Sequence, residues 1–174
     1  MKYYAGIGAR KTPKIVLQYM EKIAEELAKK NYILRSGGAH GADTAFEVGC
    51  DKVNGKKEIY LPWKDFENNT SSLYDLPNKQ EALQIAGKFH PKMEILSNAV
   101  KTMHARNTYQ VLGQDLNTPS LFIVCWTDGT GGTMQAVRVA KHYNIPVFNL
   151  KLEKNLNQID PVIFVEHIEQ TIVK

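Results

Sequence analysis

Apolar residues along the chain fall into two patterns. Some form short runs that end at glycine, proline or a polar turn; others recur every three or four positions over longer stretches. "YYAGIG" (3–8) is the first short run and predicts a strand that stops at glycine. Thr12-Pro13 then opens a helix, with Thr suited to the N-cap and Pro to the first turn. Ile15, Val16, Tyr19, Met20, Ile23, Ala24 and Leu27 follow at helical spacing, down to about Lys30. "YILRS" (32–36) predicts a second strand, followed by a helix from about Ala42 to Val53. "EIYLPW" (58–63) predicts a third strand, ended by Pro62.

The middle is less regular. Residues 64–78 are polar and aperiodic, and read as a long loop of the kind that often carries function. "KQEALQIAGKFH" (79–90) predicts a helix stopped by Pro91. A further helix is expected from about Met93 to Leu112, with Ile95, Leu96, Ala99, Val100 and Met103 on its apolar side. "SLFIVCW" (120–126) is almost wholly apolar, as a central strand buried on both faces would be. A helix (134–143), a strand (145–150) and a last helix capped by Asp160-Pro161 complete the chain.

Strands joined by helical crossovers predict an α/β, Rossmann-like domain over residues 1–174. Its sheet should hold about five parallel strands, with helices on both faces and 120–126 central. Ligands in such sheets bind beyond the carboxyl ends of the strands. Three glycine-bearing turns fall there: "GIGARKTP", "SGGAHGAD" and "TDGTGGT". Each leaves bare backbone N–H groups that a phosphate-sized anion can approach at a helix N-terminus.

Composition narrows the partners little. The 174 residues are 43% hydrophobic and 23% charged, enough for a sizeable core. No apolar run reaches the ~20 residues of a membrane span. "MKYYAGIGARKTP" lacks the apolar centre of a signal peptide, so a cytoplasmic address is expected. Net charge is +4, a mild preference for anionic partners. Cys50 and Cys125 form no redox or metal motif and are expected to be buried thiols. The five histidines show no ligand spacing, and no metal or cofactor is expected.

The candidate ligand-binding residues follow from the turns. Gly8 and Arg10 lie at the first, and Ser36, Gly37, Gly38 and His40 in the second. Asp43 lies in the first helical turn beyond; there it serves either as a capping charge or as an acceptor for ribose hydroxyls. Glu47, one turn further, falls on the same helical side. Asp128, Gly129, Gly131, Gly132 and Thr133 form the third turn, which lacks the Lys of a Walker loop but joins a buried strand to a helix. "MHARN" (103–107) adds a polar cluster of His104, Arg106 and Asn107, either a solvated helix face or part of the site.

Together these pieces resemble the SLOG superfamily of Rossmann-like nucleotide-binding proteins. "GIGAR", "LRSGGAHGADTAFEVG", "ARN" and "GGTMQAVRVA…IPVFNL" follow the order of its bacterial DNA-processing recombination mediator. The chain also looks like the short stand-alone members that bacteriophages carry. Met103–Asn107 is similar to the "MHERK" of the Lonely Guy phosphoribohydrolases, and Asp128–Ala136 to their "PGGxGTxxE". In those enzymes the arginine, here Arg106, and the final glutamate support cleavage of an N-glycosidic bond. Ala136 stands in the glutamate's place. Hydrolysis here would need Asp43, Glu47 or Asp128 instead, because an oxocarbenium-like transition state and an activated water call for a carboxylate.

Three readings remain open at this point. The resemblance supports a protein that binds, and sequesters, a nucleotide or nucleotide-derived signal. The closest alternative is a nucleotide N-glycosidase in which Arg106, Asp43 and Glu47 are catalytic, and the next is a single-stranded DNA binder. For DNA the available stacking aromatics are Tyr3, Tyr4, Trp63, Trp126 and Tyr143. The irregular segment 64–118 and the helix-mediated pairing common in the superfamily imply a homodimer or larger assembly.

Overall fold

The computed structural model describes residues 1–173. Its strands are β1 (Lys2–Gly8), β2 (Tyr32–Ser36), β3 (Lys57–Ile59), β4 (Ile123–Trp126) and β5 (Val147–Asn149). Its helices are α1 (Lys14–Lys29), α2 (Ala42–Asp51), α3 (Lys79–Lys88), α4 (Asn98–Leu112), α5 (Gly131–His142) and α6 (Pro161–Ile172). The strands form one sheet in the order β3-β2-β1-β4-β5, parallel throughout. The Rossmann-like α/β architecture expected from the sequence is therefore present. β4 is an interior strand as expected, but the middle position belongs to β1.

Alternation along the strands divides the core between the two faces. Tyr4, Leu34 and Val124 face a cluster built with α1, α2 and α6. Ala5, Ile7, Ile123 and Cys125 face one built with α4 and α5. Both cysteines are buried thiols. At the end of β1 there is no room for a side chain at Gly8, because a Cβ there would lie 2.5 Å from that of Ala42. This bare backbone lets α2 start directly over the strand end.

Three helix starts show how local chemistry sets boundaries. At α6 Asp160 accepts a hydrogen bond from the Val162 N–H and Pro161 occupies the first turn, as expected. At α1 the N-cap is Pro13 rather than Thr12. The Thr12 hydroxyl turns back to donate to the Ala9 carbonyl at 2.6 Å. The helix expected from Met93 divides instead: Met93–Ile95 is a single 3₁₀ turn, and α4 starts after Ser97, whose hydroxyl caps the Val100 N–H. The expected apolar stripe of α4 is not its buried side. Ile95 is 72% exposed, whereas His104 to Leu112 are all buried.

That reversal comes from topology. β1, β2 and β3 step one way across the sheet, and residues 60–122 then carry the chain back past β1 to β4. α4 is part of this return, and its last two turns are covered by α3, α5 and the sheet. A buried arginine fixes its end. Arg35 of β2 is 2% exposed; it pairs with Glu58 at 2.8 Å and donates to the Thr118 carbonyl at 2.6 Å. Its guanidinium also lies 3.8 Å from the centre of the Tyr3 ring. No helix among the described residues is long and apolar enough to cross a membrane.

Candidate functional site

The strand order reverses between β1 and β4, and a cleft of about 430 Å³ opens beyond the carboxyl ends of those two strands. This is the switch point at which open α/β sheets hold ligands, and the volume is in the range of small-molecule sites. Its walls come from three stretches. Ile7 and Gly8 end β1 and residues 9–11 follow it, Thr130–Thr133 form the N-cap and first turn of α5, and Met103, His104, Arg106, Asn107 and Gln110 come from α4. Ala39 and Asp43 close the floor.

Arg106 and Asn107 tie two of the glycine turns together. Arg106 is buried; its Nη1 donates to the Gly37 carbonyl and its Nε to Asn107 Oδ1 at 3.0 Å. Asn107 Nδ2 in turn donates to the Gly132 carbonyl at 3.2 Å. Nη2 of Arg106 donates to no acceptor among the described residues. Gly37 is essential to this arrangement, since a Cβ there would fall 2.1 Å from Gln110 Nε2 and 2.5 Å from Arg106 Nη1. The backbone of the second turn comes this close to the arginine because nothing projects from it.

Asp43 faces the same spot. It is 4% exposed, and the Ala39 N–H donates to its Oδ2 at 3.3 Å. Burial raises its carboxyl from the ordinary 3.8 to about 6, although Arg106 and backbone N–H groups pull it back down. Burial likewise works against the Arg106 charge, and Asp43 restores part of it. The imidazole of His104 is held below its usual range by burial and by His90, whose ring centre is 4.8 Å away. A buried carboxyl and a buried guanidinium whose charges depend on each other, at the edge of a cleft, mark a candidate site.

A pH dependence follows from Asp43. A folded-state value above the unfolded one means that the folded protein holds the extra proton between the two. Asp43's contribution to stability should therefore fall as pH rises from about 4 to about 6, by on the order of 2–3 kcal/mol, and level off above. Asp43→Asn should abolish this slope. Urea unfolding of both proteins across that range checks it; parallel pH profiles would show that Asp43 does not titrate as described.

The other expected site residues are placed as follows. Gly8, Arg10, Gly131, Gly132 and Thr133 line the cleft. The Ser36 hydroxyl is buried and donates to the Gly6 carbonyl at 2.6 Å, away from the cleft. Gly38 has φ +68° and its Cα faces Leu61. His40 is exposed and contacts Glu67. Glu47 turns from the cleft to pair with Lys57 at 2.8 Å and accept from Asn69 at 2.9 Å. Asp128 sits at the rim beside Gly129, held well below the usual carboxylate range by Lys11 and the Thr130 hydroxyl. Lys11, Met103 and Gln110 line the cleft without being among the residues expected there.

Of the aromatics named for DNA stacking, Tyr4 is 1% exposed and packs on Phe122 and Tyr32. One face of the half-buried Tyr3 ring is taken by Arg35. Tyr4 is too buried to stack on a base.

No protein-family model matches the sequence, and comparison with curated proteins found no match. Solved structures do match. DNA processing protein A from Helicobacter pylori, which binds single-stranded DNA, superposes with a TM-score of 0.58 at 22% identity, over 98% of this chain and 73% of that one. The molybdenum cofactor carrier protein of Chlamydomonas reinhardtii gives a TM-score of 0.61 at 15% identity, over the full length of both chains. DNA processing protein A from Streptococcus pneumoniae gives 0.55 at 18% identity, with 98% of this chain covering 56% of that one. The chain thus shares its Rossmann-like fold with these proteins, the fold that its SLOG resemblance implied.

Proposed function

We propose that the cleft binds a nucleotide or nucleotide-derived molecule, with the phosphate between Arg106 and the start of α5, and that the protein sequesters this ligand. The observation that carries this reading is the bridge from Gly37 through Arg106 and Asn107 to Gly132. It draws the free guanidinium nitrogen and the uncapped first turn of α5 toward one place. Both favour an anion, and a phosphate satisfies both. The cleft's size suits one nucleotide unit rather than a polymer. The Helicobacter protein's single-stranded DNA binding makes DNA the natural comparison ligand in any test.

A Cβ at Gly132 meets only Asn107 Nδ2, at 3.2 Å. Gly132→Val should therefore leave the fold intact and block the close approach of a phosphate, with adenosine 5′-monophosphate affinity reduced about tenfold or more, as for one lost charge-assisted contact. Unchanged affinity in a folded variant would put the phosphate elsewhere.

Asp43 gives a second reading specific support. Among the three acids that could stand in for the missing glutamate, it alone lines the cleft. As a base near neutrality it could take a proton from water and return it to the leaving nitrogen, while the hydroxyl adds at the sugar C1′ and the C1′–N bond breaks. Base release by the parent protein that vanishes in Asp43→Asn, with affinity preserved, would establish the hydrolase. Tight binding without base release would leave sequestration.

A further inference from the structure

Segment 63–69 lies against Arg10, which lines the cleft, and against His40 beside it. Glu67 Oε1 pairs with Arg10 Nη2 at 2.6 Å, and Glu67 Oε2 lies 2.5 Å from His40 Nε2. The neighbouring Phe66 is 5% exposed, and its ring centre is 5.9 Å from the Arg10 guanidinium and 5.6 Å from that of Arg106. Trp63 closes on Phe66 edge-on, with ring centres 5.2 Å apart. One short strap thus engages both arginines of the cleft.

The strap is wound unfavourably. Asp65, Glu67 and Asn68 all have left-handed backbones, with φ of 55°, 51° and 60°. None is glycine, so side-chain contacts must hold the conformation. The Arg10–Glu67–His40 bridge does this together with buried Phe66 and the Asn69–Glu47 hydrogen bond. A carboxylate on Arg10 also occupies the position that a ligand's phosphate would take from this guanidinium.

We propose that Glu67 is a built-in competitor for the ligand's phosphate: it latches the strap onto Arg10 in the free protein and is displaced when a phosphate takes Arg10. This rests on the nucleotide reading of the cleft. A nucleoside without phosphate has no claim on Arg10 and does not open the latch, so the strap makes phosphorylated ligands alone work against it.

The test compares the parent with Glu67→Gln by calorimetry, using adenosine 5′-monophosphate and adenosine, and by hydrogen exchange of the amides of residues 65–69. Glu67→Gln should tighten adenosine 5′-monophosphate binding about three- to tenfold, the range for an exposed to partly buried charge pair. Adenosine affinity should not change. Strap exchange should rise in the variant, and saturating adenosine 5′-monophosphate should raise it to the same level in the parent. In an Arg10→Gln background, Glu67→Gln should bring no gain.

Equal or weaker nucleotide binding by Glu67→Gln overturns the latch and leaves the nucleotide reading standing. So does stronger protection of the strap when nucleotide binds, which would mean that the strap closes on its ligand. Absence of binding by either protein, with strap exchange still faster in Glu67→Gln, overturns the nucleotide reading and supports Glu67 as the group that holds the strap.

Discussion

Arg35→Met is expected to destabilise the protein by about 3 kcal/mol or more. The guanidinium is 2% exposed and serves Glu58, the Thr118 carbonyl and, at 3.4 Å, the Ser120 hydroxyl. Methionine fills much of the same volume but donates nothing. Glu58, with 19% of its side chain exposed, would keep only the Tyr60 hydroxyl, which donates to it at 2.6 Å. An uncompensated carboxylate then remains against the sheet. Adding Glu58→Gln should recover part of the loss, since the leftover charge is the larger cost. Urea unfolding midpoints of the parent and both variants check this. A midpoint unmoved by Arg35→Met would mean that the return to β4 is fixed by packing alone.

The second large effect belongs to binding. Arg106→Ala should weaken adenosine 5′-monophosphate binding by ~1.5–3 kcal/mol, roughly ten- to over a hundredfold. It deletes the guanidinium nitrogen left without an acceptor among the described residues, and it releases the Gly37 carbonyl and Asn107 from the positions they hold. Arg106→Lys should recover only part, because an ammonium cannot reach Gly37, Asn107 and a phosphate together. Affinity that survives Arg106→Ala would move the phosphate away from α4. Unfolding curves for the same variants separate loss of the site from loss of the fold.

Much of this site was legible in the sequence because glycine turns at strand ends have a fixed meaning in a parallel sheet. The three turns stand out that way, Arg106 and Asn107 as a polar cluster in a helix that resembles a known motif, and five parallel strands follow from the alternation of runs. What stayed hidden depends on contacts across the chain. Periodicity placed Ile95 and Ala99 on the inner side of a helix, yet the covered part is polar, from His104 to Gln110. Its burial is set by how residues 60–122 return across the sheet. Glu47 shares a helical side with Asp43, but Lys57 and Asn69 draw it off the cleft. Arg35 reads as the polar end of a strand, and only its partners at Glu58 and Thr118 show why a charge is buried there. The strap around Glu67 carries no periodic signal at all.

Calorimetric titration of the parent protein with adenosine 5′-monophosphate, followed by chromatography of the recovered ligand, tests the nucleotide reading most directly. Saturable binding that adenosine alone does not match, with the nucleotide recovered whole, is the result expected for a phosphate held at Arg106 and sequestered. Binding of single-stranded DNA with no measurable affinity for the nucleotide would contradict it.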